Sequence, residues 1–258
     1  MARKIFKILT ITITFTFLML FSATPVLAFD ARGGDTVTIS GGEVVDDDLY
    51  IAGGTITIDG TVNGDLWAAG NAIIVNGTVK GSVMAAGRTI SINGDVGHAV
   101  RAAGETVIIN SDVNGDVMVG CSQVNIASAA RVGGDLLFGT GIARIDGLIE
   151  GDIKGEGSEV TISNGVKGNL ALKVDSLTML PTANVQGDLT YTSEKEADIQ
   201  SGAQISGTTT HNLPEVKEKQ ARGFPSVLFS GIGGKLTGFI MALIAGLVII
   251  LLAPRRLT

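Results

Sequence analysis

Apolar residues recur in this chain every 17 residues. The run DLYIAGGTITIDGTVNG begins at Asp48, and related runs begin at Asp65, Ser82, Ala99, Asp116, Asp135, Asp152, Asn169 and Asp188. Numbering each copy from that first residue, position 2 reads Leu49, Leu66, Val83, Val100, Val117, Leu136, Ile153, Leu170 and Leu189. Position 9 reads Ile56, Ile73, Ile90, Val107, Val124, Ala143, Val160 and Leu177, and position 11 is as consistently aliphatic, from Ile58 to Met179. One further Val or Ile closes each copy, from Val62 and Val79 to Val185 and Ile205. A degenerate copy precedes the series at Thr36, and the copies at Asp116 and Asn169 carry two extra residues.

Seventeen residues are too few for a pair of helices with turns, whereas the local Ile-x-Ile alternation has the period of a strand. The pattern predicts an all-β solenoid of about ten coils, each of three short strands and three corners, stacked at the ~4.8 Å spacing of paired strands. Gly, Asn and Asp punctuate the copies at fixed phase, as in Asn63-Gly64-Asp65 and Asn93-Gly94-Asp95. Such residues tolerate positive φ, so left-handed corners are expected there. Ala52-Gly53, Ala69-Gly70, Ala86-Gly87 and Ala103-Gly104 are expected to stack where the cross-section is tightest. A left-handed hexapeptide helix needs an apolar residue every six. The spacings here run 7, 6 and 4, which favours a right-handed parallel β-helix.

Both ends of the chain break the pattern. Residues 1–28 read as a signal peptide: Arg3, Lys4 and Lys7, an apolar stretch over 8–21, then Val26-Leu27-Ala28 ahead of the cleavage point. Residues 29–210 are the repeat domain, and 211–235 form a charged, solvated linker and juxtamembrane segment. Residues 236–254 contain no charge and at 1.5 Å per residue span roughly 28 Å, the reading of a transmembrane helix. Arg255 and Arg256 hold the tail, 255–258, in the cytoplasm. The expectation is a single-pass protein of the cell membrane with its repeat domain outside the cytoplasm. Gly234, Gly238, Ala242 and Gly246 lie along one ridge of that segment and would let another transmembrane helix approach closely.

Composition narrows the partners. The chain carries a formal charge of −6, and loss of Arg3, Lys4 and Lys7 with the signal peptide takes it to −9. That disfavours nucleic acid and anionic lipid surfaces as partners, and no nucleic acid is expected. The single cysteine, Cys121, rules out an intramolecular disulfide, and it stands where other copies have a corner glycine.

Copies of the form GDL-x-AAG-x-x-I-x-I-x-G-x-V, as over 64–79, resemble the bactofilins, a family of polymer-forming cytoskeletal proteins. The resemblance covers residues 36–207. It implies a right-handed β-helix that assembles end to end into nonpolar filaments without nucleotide or other cofactor. Bactofilins proper are cytoplasmic and lack a signal peptide. The two terminal segments make this chain more similar to an exported, membrane-tethered branch in the prokaryotic cell envelope. In the last copy Glu194, Lys195, Glu196 and Asp198 replace apolar positions, so residues 188–210 read as a charged cap. The N-terminal coil around Val37 and Ile39 is then expected to be the adhesive end.

Candidate chemistry is sparse. Asp48, Asp65, Asp116, Asp135, Asp152 and Asp188 form a row at position 1, with Asp46-Asp47-Asp48 the densest cluster. A cation ladder is one reading; carboxylates that accept backbone N–H bonds at turns are the better one. Thr55-x-Thr57, Thr89-x-Ser91 and Ser176-x-Thr178 resemble ice-binding rows, but intervening copies break the array and the β-propensity of Thr accounts for it. A polysaccharide-active β-helix enzyme needs acid, base and cation clustered on one wall. His98 and His211 are far apart, and Lys80, Arg88 and Arg101 are scattered over successive copies. Asn76-Gly77-Thr78 is a glycosylation sequon of little weight in a prokaryotic chain. The sequence thus points to no enzyme and no metal site. It points to a self-associating structural scaffold, with a monomeric adhesin for envelope polysaccharide as the alternative.

Overall fold

In the computed structural model, which describes residues 30–214, each repeat becomes one turn of a parallel β-solenoid. The long strand of each turn lies in register beside its counterpart in the next: Leu49 beside Leu66, Ile56 beside Ile73, Ile58 beside Val75. Eleven such strands stack in chain order, and the coils are numbered after them. Coil 1 holds Asp30–Ile39, coil 2 Leu49–Ile58, coil 3 Leu66–Val75, coil 4 Val83–Ile92, coil 5 Val100–Ile109 and coil 6 Val117–Ile126. Coil 7 holds Leu136–Ile145, coil 8 Ile153–Ile162, coil 9 Leu170–Met179, coil 10 Leu189–Thr192 and coil 11 Thr209–Asn212. The first of these is a full coil that starts ahead of Thr36, where the sequence pattern first becomes visible.

A parity argument divides each coil into walls. In coil 2 the buried residues are Leu49 and Ile51, at even positions, then Ile56 and Ile58, at odd ones. A straight strand keeps one parity on one face. The long strand must therefore turn between them, and it does so at Gly53-Gly54. The first wall spans positions 2–5, the second 8–11. A short segment such as Thr61–Val62 makes the third, with Val62, Val79, Val96, Val113 and Val132 bridging coil to coil along it. The expected three strands and three corners are present, and the aliphatic ladders at positions 2, 9, 11 and 15 form a continuous core.

The corners do not use left-handed backbone. Among the described residues only Gly202 has a positive φ, 109°. Most corner glycines are required by crowding instead. A Cβ on Gly53 would sit 2.5 Å from the Gly34 carbonyl oxygen of the coil before it, and one on Gly147 would sit 2.6 Å from that of Ala130. On Gly77 and Gly94 it would collide with the carbonyls of Gly60 and Gly77. Asn at position 12 also has a different cause from the one expected. Asn76 Nδ2 donates to Asp59 Oδ1 (2.7 Å), Asn93 to Asn76 (2.8 Å) and Asn110 to Asn93 (2.6 Å), an amide ladder along one edge.

The two-residue insertions fall at this same corner. Each closes as a turn, with Ala130 N–H donating to the Ala127 carbonyl and Ala183 N–H to that of Leu180, both at 2.9 Å. Register then resumes, Val132 on Val113 and Val185 on Val166, so the insertions leave the core undisturbed. The alanines of the Ala-Gly pairs do not line a tight interior. Ala52, Ala69, Ala86 and Ala103 face outward, exposed. The small inward residues are Ala68, Ala85 and Ala102, one position earlier. In coils 7 and 8 that inward position holds Phe138 beneath Gly155, whose missing side chain leaves the ring its room.

Crowding rather than backbone freedom makes a sharp prediction. Gly94→Ala should cost about 1–3 kcal/mol, because the neighbouring carbonyl cannot move without disturbing the ladder. Gly139→Ala meets nothing within 4 Å and should be neutral or stabilising by up to about 1 kcal/mol. Urea unfolding midpoints of the two variants measure the contrast.

Candidate interaction surface

Since positions 2 and 4 of the first wall point inward, positions 3 and 5 point outward. Position 3 carries Tyr50, Trp67, Met84, Arg101, Met118 and Leu137 in coils 2–7; position 5 carries Ala52, Ala69, Ala86, Ala103, Gly120 and Gly139. A ridge of large side chains thus runs beside a trough of the smallest ones. Tyr50, Trp67 and Met118 are 38%, 42% and 49% exposed, which sets them apart from the core aliphatics on the same strands. Together with the alanines they shape a shallow, mainly apolar groove of about 920 Å³ over coils 1–6. The Tyr50 and Trp67 rings stack with centroids 5.7 Å apart and planes 7° from parallel. In-register pairing of their strands dictates this: the ring faces lie against one another along the stack and the edges turn outward.

The groove ends where the wall changes chemistry. Coil 8 places Lys154 and Glu156 at positions 3 and 5, and coil 9 places Ala171 and Lys173 there. A second depression, of about 530 Å³, straddles this change, lined by Met118, Leu137 and Gly139 as well as Lys154, Glu156 and Lys173.

The two ends of the stack are both charged, the N-terminal coil, where the sequence places the adhesive end, included. Asp30 and Arg32 pair in register with Leu49 and Ile51, so charges occupy core-facing positions of coil 1. Arg32 Nη2 lies 2.7 Å from Asp30 Oδ2, and Nη1 lies 2.5 Å from Glu43 Oε1. The hydrogen bond from Arg32 holds the Asp30 carboxyl below the usual carboxylate range, and the same pairing raises the Arg32 guanidinium further. At the other end Glu194, Lys195, Glu196 and Asp198 are exposed, as the sequence predicts. Coil 11 lies over coil 10 with all four of its residues exposed. His211 there stacks on the buried Tyr191 ring at 4.4 Å and its Nε2 lies 2.9 Å from the Ser193 carbonyl oxygen.

The remaining candidates are structural. Each Asp of the position 1 row accepts the N–H of its counterpart in the next coil. Asp48 Oδ1 takes that of Asp65 (2.8 Å), Asp65 that of Ser82 (2.7 Å), Asp116 that of Asp135 (2.9 Å) and Asp135 that of Asp152 (2.8 Å). Asp152 clips Asn169 and Asp188 clips Thr208 in the same way. The bond from Asn169 N–H, helped by Lys154, holds the Asp152 carboxyl below its ordinary value. Among the described residues no group of three or more His, Cys, Asp and Glu is placed to hold a metal ion. Thr55 and Thr57, and their counterparts, face outward on the second wall, interrupted by Ile74, Ile108 and Arg144. His98 and Lys80 are exposed on the third, and Arg88 is paired with Glu105 at 2.9 Å. Cys121 sits half-buried at its corner with Sγ 3.7 Å from Thr140 Oγ1, and burial pushes its thiol up, away from reactivity. Gly234, Gly238, Ala242 and Gly246 lie outside the described residues.

Comparison with protein-family models, with curated proteins and with solved structures gives no match. The outer face of the first wall does not stand out in the sequence, where the inward aliphatic ladders dominate the pattern. Its signal was present at position 3, where Tyr50, Trp67, Met84, Met118 and Leu137 recur at the repeat spacing on the face opposite the core.

The charged N-terminal coil predicts a pH signature. The stability that Asp30 contributes is fully present above the ordinary carboxylate pKa, about 3.9, and is lost as pH falls through its lower folded value. Thermal midpoints of wild type and Asp30→Asn should differ at pH 7 and converge below about pH 3. A gap that persisted at low pH would assign the effect of the substitution to packing.

Proposed function

We propose that this protein is a structural, self-associating scaffold, carried outside the cytoplasmic membrane and tied to it by residues 236–254. One observation carries the reading: a solenoid whose repeated residues are spent on its own stacking leaves one long apolar strip, on the outer face of its first wall, unused by the fold. A patch of this size is on the scale of the largest apolar patch of an ordinary monomer, which is often a functional contact surface. The resemblance to bactofilins supports polymerisation without nucleotide, and the 7, 6, 4 spacing of the apolar positions supports a right-handed coil. Charged first and last coils disfavour pairing of the open sheet edges. Lateral contact between solenoids is therefore the mode of association favoured over end-to-end growth.

A polysaccharide adhesin is supported less well. Sugar rings pack on open aromatic faces, and here the Tyr50 and Trp67 faces are turned on one another. No catalytic cluster among the described residues supports an enzyme.

Full-length chains bearing one fluorophore each, reconstituted in lipid vesicles, should bleach in two or more steps, with the multi-step fraction rising with protein density. Single-step bleaching at every density would sink self-association and leave a monomeric binding module, which a glycan array would then test.

A further inference from the structure

We infer that the first-wall strip of coils 1–7 is a two-fold interface between parallel copies of this chain, the ridge of one lying in the trough of the other. The inference rests on the self-association reading and names its surface and geometry. The ridge and trough are matched. Where position 3 is large, from Tyr50 to Leu137, position 5 is Ala or Gly without exception. At coil 8 both change together, position 3 to Lys154 and position 5 to Glu156. Nothing in the solenoid's own packing asks for this, since both rows face outward and Gly120 and Gly139 have open space where a Cβ would stand. A partner that needs depth at position 5 does ask for it.

Symmetry identifies that partner as a second copy. A dyad parallel to the stack sets two first walls face to face and reverses left and right, so position 3 of each coil lies over position 5 of the same coil opposite. Large then meets small in each of coils 2–7, as a closed isologous interface requires, while coil 1 sets Ala31 over Gly33. A dyad across the stack keeps left and right, sets ridge on ridge and faces the two troughs across a gap. The single charge at positions 3 and 5 of the first wall in coils 1–7 agrees with the parallel form. Arg101 would pass over the partner's Ala103 with its long stem on apolar surface and its guanidinium at the rim.

The area sets the strength. Seven coils at about 4.8 Å make a strip roughly 34 Å long, and about three residues across at ~3.3 Å each make it roughly 10 Å wide. That is well short of the roughly 800 Å² per partner of a stable soluble complex. The contact is weak in dilute solution and becomes effective when tethering to one membrane raises the local concentration.

The test uses the full chain in lipid vesicles, with Cys121→Ser to remove the native thiol and a short bismaleimide as crosslinker. Ala52→Cys in coil 2 and Gly139→Cys in coil 7 should each crosslink to their own kind, and a mixture of the two, tagged by size, should give no heterodimer. Thr57→Cys on the second wall should give at least tenfold less dimer. Ala86→Glu, at an exposed site in mid-strip, should reduce the Ala52→Cys crosslink at least tenfold. Photobleaching clusters without crosslinking at position 52, or clusters indifferent to Ala86→Glu, overturn this surface and leave self-association standing. Crosslinking of Ala52→Cys to a Met118→Cys chain overturns the parallel geometry. Single-step bleaching throughout overturns both the surface and the self-association reading.

Discussion

Everything in this domain depends on one constraint: each residue lies about one strand spacing, ~4.8 Å, above its own counterpart. Whatever occupies a position must tolerate itself, or something very like itself, at that distance. Aliphatic side chains satisfy this at positions 2, 9, 11 and 15 by stacking into dry ladders. Amides satisfy it because Asn both donates and accepts, so Asn76, Asn93 and Asn110 form a chain of hydrogen bonds that a row of carboxylates alone could not make. Aspartates at position 1 satisfy it only by accepting a backbone N–H from the coil beyond. Aromatic rings satisfy it by lying parallel, as Tyr50 and Trp67 do. Even the glycines follow, since coils this close bring one backbone carbonyl onto the next corner's Cα.

The same constraint fails at the ends, where a coil has a neighbour on one side only. Coil 1 meets this by placing Asp30 and Arg32 where later coils place Leu49 and Ile51, and by closing the ion pair with Glu43. These groups are only partly exposed, so their mutual pairing matters more than that of a surface salt bridge, although solvent still screens it. Coil 10 meets it with exposed charges and with a last strand, Thr209–Asn212, that is polar along its whole length. Chemically different ends thus reach one outcome, an edge that offers little to another sheet.

The sequence declared its stacking because stacking repeats: the period, the ladders, the three walls and the charged last coil could all be read from it. The structure adds a last coil, Thr209–Asn212, gives corner glycines a cause in crowding rather than backbone freedom, and places charges in the N-terminal coil. Each difference has the same origin. Asp30 and Arg32 do not look like members of the repeat, so register could not be assigned to them before their strand was seen beside Leu49–Ile58. The crowding at Gly94 is a contact between residues 17 apart, invisible in local sequence. The apolar strip was hidden for the opposite reason. Met84 and Trp67 stand among so many aliphatic residues that only wall parity separates the outward from the inward, and parity switches within the long strand.

That switch is also what frees the surface to change. Inward and outward rows alternate, and each coil touches only its neighbours. The outer rows of the first wall pass from apolar in coil 7 to charged in coil 8, and the inner row at position 4 changes there too, Gly155 leaving room for Phe138 before Leu172 and Tyr191 resume it. The inner row at position 2 runs on through Leu136, Ile153 and Leu170. An outer row that serves nothing in the fold is under no structural obligation to keep Ala or Gly at position 5 through coils 2–7. Its sharp end, in step with the change at position 3, fits the second copy proposed to lie against the wall.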